Sequence, residues 1–256
     1  MSVAALTVVL YIFIFLFGIV IGSFLNVCIY RIPKKESIVF PHSHCMTCGY
    51  QLRWYDLVPL FSFLFLRGRC RKCHTKLSLQ YPLVEGMNGA LYVIVFLANG
   101  WNYVSVVYCL LTSALIVLSV LDFRTMEIAD GINLFILLLG IAATLLDLHA
   151  WKDHVIGMFS VSVFLLVIYL VTVGRGIGGG DIKLMFGAGL LLGWKGAILA
   201  FFLGCIIGSV IHLIRMAVSH AEHRLAMGPY LSVGIWLTAL WGTLVIDWYV
   251  GVITHH

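Results

Sequence analysis

Charge is scarce in this sequence. Lys, Arg, Asp and Glu make up 11% of its 256 residues, while 62% are hydrophobic. A soluble domain is about one-quarter charged and about half apolar. Too little polar surface is therefore present to cover a water-soluble globule. A mean hydropathy of +1.05 points to the bilayer as the solvent. Also missing is any Lys or Arg before Arg31. The opening apolar run exceeds a signal h-region, and no small-residue cleavage site follows, so the first segment reads as a retained span. There is no convincing internal repeat and no low-complexity tract.

What is present is a series of apolar runs. A spanning helix takes about 20 mostly apolar residues. Seven clear candidates lie near 4–29, 83–99, 103–121, 131–148, 154–173, 195–217 and 229–250. A short Gly-rich one lies near 182–193 and reads as a span, a half-helix or a re-entrant piece. The predicted fold class is an all-α membrane protein of about eight spanning helices. A small zinc-binding cytoplasmic domain is inserted between the first and second.

If these segments alternate across the bilayer, one side holds every Lys and Arg but Lys152 and Lys195, out of 16. The positive-inside rule makes that side cytoplasmic and puts both termini outside. The net charge of +5 is thus a topology signal, and no nucleic-acid partner is expected.

The one sizeable polar insertion, 31–82, holds nine of the basic residues, three of the five prolines (Pro33, Pro41, Pro59) and four cysteines. Cys45-Met-Thr-Cys48 and Cys70-Arg-Lys-Cys73 are two Cys-x-x-Cys knuckles separated by 21 residues. Four thiolates at such spacing form a closed tetrahedral zinc site. A loop this small buries little core, so a metal staple stabilises it. Gly49 and Gly68 suit the tight turns beside the knuckles. Disulfides are disfavoured in a reducing cytoplasm. His42, His44 and His74 are alternative ligands, more simply read as solvated loop residues. Cys28, Cys109 and Cys205 sit in apolar segments and read as small hydrophobes.

Among 11 acidic residues, Glu85, Asp122, Glu127, Asp130 and Asp181 fall near the cytoplasmic membrane boundary. Asp122 closes the third segment, and an eight-residue polar loop, Phe123 to Asp130, follows. Asp181 opens the sixth after Gly178-Gly179-Gly180, so alternation puts both at one face. Ionisable groups at membrane depth are costly and tend to be functional. Two close carboxylates share a proton. One then deprotonates a water while the other polarises a carbonyl, which is aspartic peptidase chemistry. A proton relay in a transporter uses acidic pairs too, and Asp181 also suits an N-cap.

These residues resemble the bacterial type IV prepilin peptidase family over nearly the whole chain. Gly22-Ser-Phe-Leu-Asn26-Val with Arg31-Ile-Pro33 resembles its first-span exit. The Cys pairs, Trp54-Tyr-Asp56, Pro59, Arg67-Gly-Arg-Cys70 and Tyr81-Pro-Leu-Val-Glu85 resemble its cytoplasmic loop. Leu121-Asp122 with Asp130 resembles the first aspartate motif, and Gly178-Gly-Gly180-Asp181-Ile-Lys183 the second, of GxGD type. Met227-Gly-Pro-Tyr230 resembles the motif before the last span. One departure is Ala129, where many members carry Pro before the second aspartate of the first motif.

The resemblance implies an intramembrane aspartic peptidase with Asp122 and Asp181 as the catalytic pair and Gly178, Gly180, Lys183 and Asp130 as supporting residues. It implies removal of the basic leader of prepilins or pseudopilins after Gly, at the cytoplasmic face of the bacterial inner membrane. It also implies N-methylation of the new terminus, typically Phe, with S-adenosylmethionine. The expected organisation is a first span at 1–30, a methyltransferase-associated four-cysteine zinc domain at 31–82, and a peptidase bundle at 83–256. Asp130 is a candidate start cap of the fourth helix. Glu127, Asp130 and Glu222 are candidates to attract the basic leader. The other functional class considered is a proton-coupled transporter with a zinc-stapled loop.

Overall fold

A computed structural model describes residues 3–40, 42–174, 176–219 and 226–254. Pro41, Arg175, Glu222 and Arg224 lie outside the described residues. Among the described residues the chain is helical, with two isolated β-bridges, His44–Gln51 and Arg69–Lys76. The helices are α1 (Val3–Arg31), α2 (Phe61–Phe65), α3 (Gln80–Asn99), α4 (Tyr103–Thr125), α5 (Asp130–Leu146), α6 (Trp151–Val171), α7 (Gly179–Ser219) and α8 (Gly228–Thr254).

Six of them, α1, α3, α4, α6, α7 and α8, are long and apolar enough to cross a membrane, and α5 is a shorter apolar helix. The 41 residues of α7 would extend about 60 Å as one helix, twice the hydrocarbon thickness of about 30 Å. The helix breaks at Gly193, where φ is 72° and ψ 172°. A side chain is strained at such a φ, and Gly is not. The break yields two segments where the sequence predicts one near 182–193 and another near 195–217. Eight apolar helical segments result, as expected.

Several helix boundaries shift by a few residues from the sequence reading, and two of the shifts bear on the Leu121-Asp122 and Tyr81-Pro-Leu-Val-Glu85 motifs. Helix α4 runs past Leu121 to Thr125 and stops at Met126, which is left-handed (φ 54°) and whose N–H bonds the Asp122 carbonyl at 2.8 Å. Asp122 is therefore inside the last turns of α4, and the following loop spans only 126–129. Helix α3 begins at Gln80, so Tyr81-Pro-Leu-Val-Glu85 occupies its first turns. Proline is tolerated there because the first N–H groups of a helix lack intrahelical partners.

Met1–Gly100 and Trp101–His256 form two compact units. In the first, α1 packs on α3 through small residues that let backbones approach. A Cβ on Gly18 would lie 2.7 Å from Gly89 Cα, and one on Gly22 2.7 Å from Glu85 Cα. The Asn88 side chain, fully buried, donates to the Gly18 carbonyl at 2.7 Å.

The insert is built on two matching turns. The Cys45 N–H bonds the Tyr50 carbonyl and the Gly49 N–H the Cys45 carbonyl; the Cys70 N–H bonds the Thr75 carbonyl and the His74 N–H the Cys70 carbonyl. Gly49 (φ 67°) and His74 (φ 55°) occupy equivalent left-handed positions. Asp56, the last residue of the Trp54-Tyr-Asp56 motif, is buried. It accepts from Arg71 Nε at 2.7 Å, from the Arg53 N–H at 3.3 Å and from the Tyr50 hydroxyl at 3.4 Å, so it ties the two turns together.

In the second unit α7 packs against α5, α6 and α8, and α4 against α5 and α8. Leu111, Leu118, Ile136, Leu165, Met185 and Ile235 fill the interior. Leu138, Phe164, Leu213 and Trp248 remain exposed, which suits a lipid solvent. Helices α6 and α7 touch backbone to backbone: a Cβ on Gly157 would lie 2.3 Å from the Gly189 carbonyl oxygen. Gly157→Ala should therefore destabilise the protein by about 1–3 kcal/mol, as overpacking does. Thermal unfolding in detergent checks this. Gly251→Ala, with nothing within 4 Å, is the control, and an equal melting point for both variants would refute the contact.

Candidate functional site

The end of α4, the loop after it and the starts of α5 and α7 carry the described acidic residues Asp122, Glu127, Asp130 and Asp181, and the start of α8 meets Asp122. Asp122 is 5% exposed. Its Oδ2 accepts the Gly228 N–H at 2.8 Å, so the first turn of α8 orients this carboxyl across 106 residues of sequence. Asp181 lies two residues into α7, half-buried, with its N–H on the Gly178 carbonyl at 3.2 Å. Asp122 is close enough for the two carboxyls to interact electrostatically.

Glycine is needed where α8 begins. A Cβ on residue 228 would sit 2.6 Å from Asp122 Oδ2 and 2.9 Å from its Cγ. The Met227-Gly-Pro-Tyr230 motif was legible in the sequence, but its contact with Asp122 was not. Gly228→Ala should destabilise the protein by about 1–3 kcal/mol, as overpacking against the Asp122 carboxyl does. Gly131→Ala, in open space, should not lower the melting point, and equal melting points for the two variants would remove the steric argument.

The Gly-rich turn rests on the loop after α4. A Cβ on Gly180 would lie 2.9 Å from Ile128 Cβ. The buried Asn133 of α5 donates to the Gly180 carbonyl at 3.4 Å, and its own Oδ1 has no partner. An Asn in an otherwise apolar helix was the signal that could have singled it out. Asp130 is not a start cap. Ala129 holds the N-cap position without a side-chain bond, and Asp130 instead pairs with Lys183 Nζ at 2.6 Å, both well exposed. At Gly178 a Cβ would meet Asp181 Oδ2 at 3.3 Å. Two of the predicted supporting residues therefore border the carboxyl pair, and two form a surface pair across α5 and α7. Such an exposed pair contributes about 0–1 kcal/mol.

The second predicted cluster is in the first unit. The sulfurs of Cys45, Cys48, Cys70 and Cys73 all lie within 4.8 Å of one another, so they could hold a metal ion. Cys45 and Cys73 Sγ are 3.8 Å apart. Metal–sulfur bonds of about 2.3 Å in a tetrahedron place sulfurs about 3.8 Å apart. The sequence alternatives His42, His44 and His74 are not in the cluster. Cys28 and Cys109 are buried in helices and Cys205 half-buried, as small hydrophobes.

Known proteins resemble this chain along most of its length. Residues 16–99 match the model of the Bacterial Peptidase A24 N-terminal domain, and residues 109–213 that of the Type IV leader peptidase family. The chain is 32% identical to a prepilin leader peptidase/N-methyltransferase of Aeromonas salmonicida, over 94% of each chain. It is 33% identical to that of Bacillus subtilis, over 93% of this chain and 96% of the relative. It is 30% identical to that of Pseudomonas aeruginosa, over 91% of each. No solved structure matches. These likenesses do not favour the transporter reading, and they run through both cysteine knuckles and both aspartate motifs. The chain belongs to the prepilin leader peptidase/N-methyltransferase family.

Proposed function

We propose that this chain is an aspartic endopeptidase of the bacterial inner membrane that removes the basic leader of type IV prepilins or pseudopilins after Gly and then methylates the new N-terminus. The observation that carries the reading is the buried Asp122, held by the Gly228 N–H and within electrostatic reach of Asp181, in a chain of this family. Charge asymmetry supports an orientation with the pair and the Cys cluster on the cytoplasmic side. A prepilin helix lying in the bilayer would then bring its cut site to the depth of the two carboxyls.

The chemistry needs both aspartates. The ionised carboxylate takes a proton from water as the oxygen attacks the scissile carbonyl. The protonated carboxyl donates to the carbonyl oxygen, so charge does not build up there. On collapse the C–N bond breaks and the departing amine takes a proton. Gly178 and Gly180 let the turn approach its neighbours closely, and the Lys183–Asp130 pair braces α7 against α5.

Cys45, Cys48, Cys70 and Cys73 would hold zinc, which their spacing and sulfur separations fit. This four-cysteine domain, 31–82, is associated with methyl transfer, and 83–256 with cleavage. S-adenosylmethionine would supply the methyl group, passed to the new N-terminal amine as that amine gives up a proton. The test is a liposome assay on a synthetic prepilin with S-adenosylmethionine, read by product mass. Cleavage after Gly with a further gain of one methylene is the expected result. No cleavage of several prepilins by folded, zinc-loaded protein would overturn it.

The leader is basic, and Glu127 is exposed in the loop between α4 and α5. Glu127→Lys should raise KM by about tenfold at low salt, the lower end of steering effects, with kcat little changed. Added salt should shrink the difference. An unchanged KM removes Glu127 from leader attraction.

A further inference from the structure

The first turns of α5 hold the start of α7 at two points. Asp130, the first residue of α5, pairs with Lys183 at the surface. Asn133 lies three positions on, along the same side of the helix, and reaches the Gly180 carbonyl while only 4% exposed. Beyond it the two helices close up. A Cβ on Gly187 would lie 3.0 Å from the Leu137 nitrogen, and one on Gly140 3.0 Å from the Gly187 carbonyl oxygen. Packing this close fixes the register of α5 on α7. The position of Asn133 is thus set by its own helix and not by the Gly-rich turn it touches.

The carbonyl that Asn133 reaches belongs to the peptide group joining Gly180 to Asp181. The N–H of that same group meets the Gly178 carbonyl at 3.2 Å. One peptide plane is therefore tied at both edges, from within the turn and from α5. The tie from α5 matters because Gly178, Gly179 and Gly180 restrict their own backbone less than any other residue type would. Three such residues in a row do not by themselves fix the direction in which the next side chain leaves.

Asn133 also carries a cost that packing does not explain. Its Oδ1 is one of three buried side-chain polar atoms without a partner among the described residues. A buried amide with an unmade bond lowers stability. Leu has the same branched shape and would occupy the position without that cost. Departures of this kind from a fully satisfied core concentrate at functional sites.

We propose that Asn133 is a positioning residue for leader cleavage, which through the Gly180 carbonyl sets the direction in which Asp181 faces Asp122. The proposal rests on the reading of these two aspartates as the cleaving pair. Asn133 itself touches no reacting atom. It narrows the orientations of one peptide plane, and two carboxyls share a proton only while their mutual geometry is held.

The test is cleavage of a synthetic prepilin in liposomes by full-length protein, with thermal unfolding in detergent alongside. Asn133→Leu should melt no lower than wild type, because it removes the unmade bond, yet kcat should fall by about tenfold or more while KM holds. Asn133→Asp, of the same size and without an N–H, should also lose rate. Asn133→Gln, which keeps the amide donor, should recover part of the loss. In an Asp181→Asn background Asn133→Leu should cost nothing further, because its effect runs through Asp181. Full kcat in folded Asn133→Leu or Asn133→Asp would overturn the proposal. So would a raised KM at unchanged kcat, which would make Asn133 a substrate contact, or a kcat that falls only in step with the melting point, which would make it a packing residue. Cleavage by Asp181→Asn at the wild-type rate would instead remove the aspartate pair, and the proposal with it.

Discussion

Asp122→Asn and Asp181→Asn should each lower kcat for leader cleavage by about 10,000-fold, the upper end of general acid–base effects, or about 5–6 kcal/mol of barrier. Neither variant should lose its fold. An Asn at 122 still offers an oxygen to the Gly228 N–H, and the packing of α4 on α8 continues through the Trp236 Nε1–Thr112 bond at 3.0 Å. The amide, however, cannot take the water's proton or donate to the carbonyl as the acid does. The double variant should be no worse than either single one, because the pair acts as a unit. The pH dependence follows from the same sharing. With both carboxyls protonated no base is available, and with both ionised no acid is, so the rate falls on either side of an optimum. The two limbs belong to the pair and not to one residue. A single-turnover assay across pH, run beside circular dichroism, checks all of this. Cleavage by folded Asp122→Asn at even a tenth of the wild-type rate would remove Asp122 from the pair.

Removing the metal should have the second large effect, and in a different part of the molecule. Among its described residues the insert 31–79 has one short α-helix, α2, two single-turn 3-10 helices, two isolated bridges and a few buried residues, chiefly Cys45, Cys70 and Asp56. Zinc binding by small domains of this kind supplies about 10–16 kcal/mol of apparent folding free energy at neutral pH. Cys45→Ser or Cys70→Ser should therefore lose about one zinc per chain and open the insert to protease between the two turns. The α4–α8 bundle has its own interior and should keep its helicity, so leader cleavage should persist in part while methyl transfer is lost. Metal analysis, limited proteolysis and the two activities, measured on one preparation, separate these outcomes. Wild type purified without chelators and free of zinc, or a Cys70→Ser insert as protease-resistant as wild type, would refute the staple.

Much of this protein could be read directly from its residues, and for local reasons. Hydrophobic runs longer than a bilayer is thick have few alternatives to spanning helices, since lipid satisfies no backbone polar group. The Cys knuckles were legible because their spacing is itself a turn geometry. The two aspartate motifs were legible because charge is so rare around them. Even the thin segment at 182–193 found its place once Gly193 broke the helix.

What could not be read lies between segments distant in sequence. Nothing in the Trp54-Tyr-Asp56 motif shows that Asp56 joins the two cysteine turns through Arg71. Asp130 suited a cap, yet Lys183, 53 positions later, claims its carboxylate. Helix α4 outlasts its apolar run because a left-handed Met126 closes it, and Met carries no sequence signal for that conformation. The sequence alone determined the helices, the two cysteine turns and the rarity of charge that marks the aspartates, because solvation and local backbone preference act over a few residues at a time. Only the tertiary structure decided that the Gly228 N–H holds Asp122 and that Asn133 reaches the Gly180 carbonyl. Those contacts arise where small residues let particular helices approach, and that closeness is a property of packed pairs, not of any one segment.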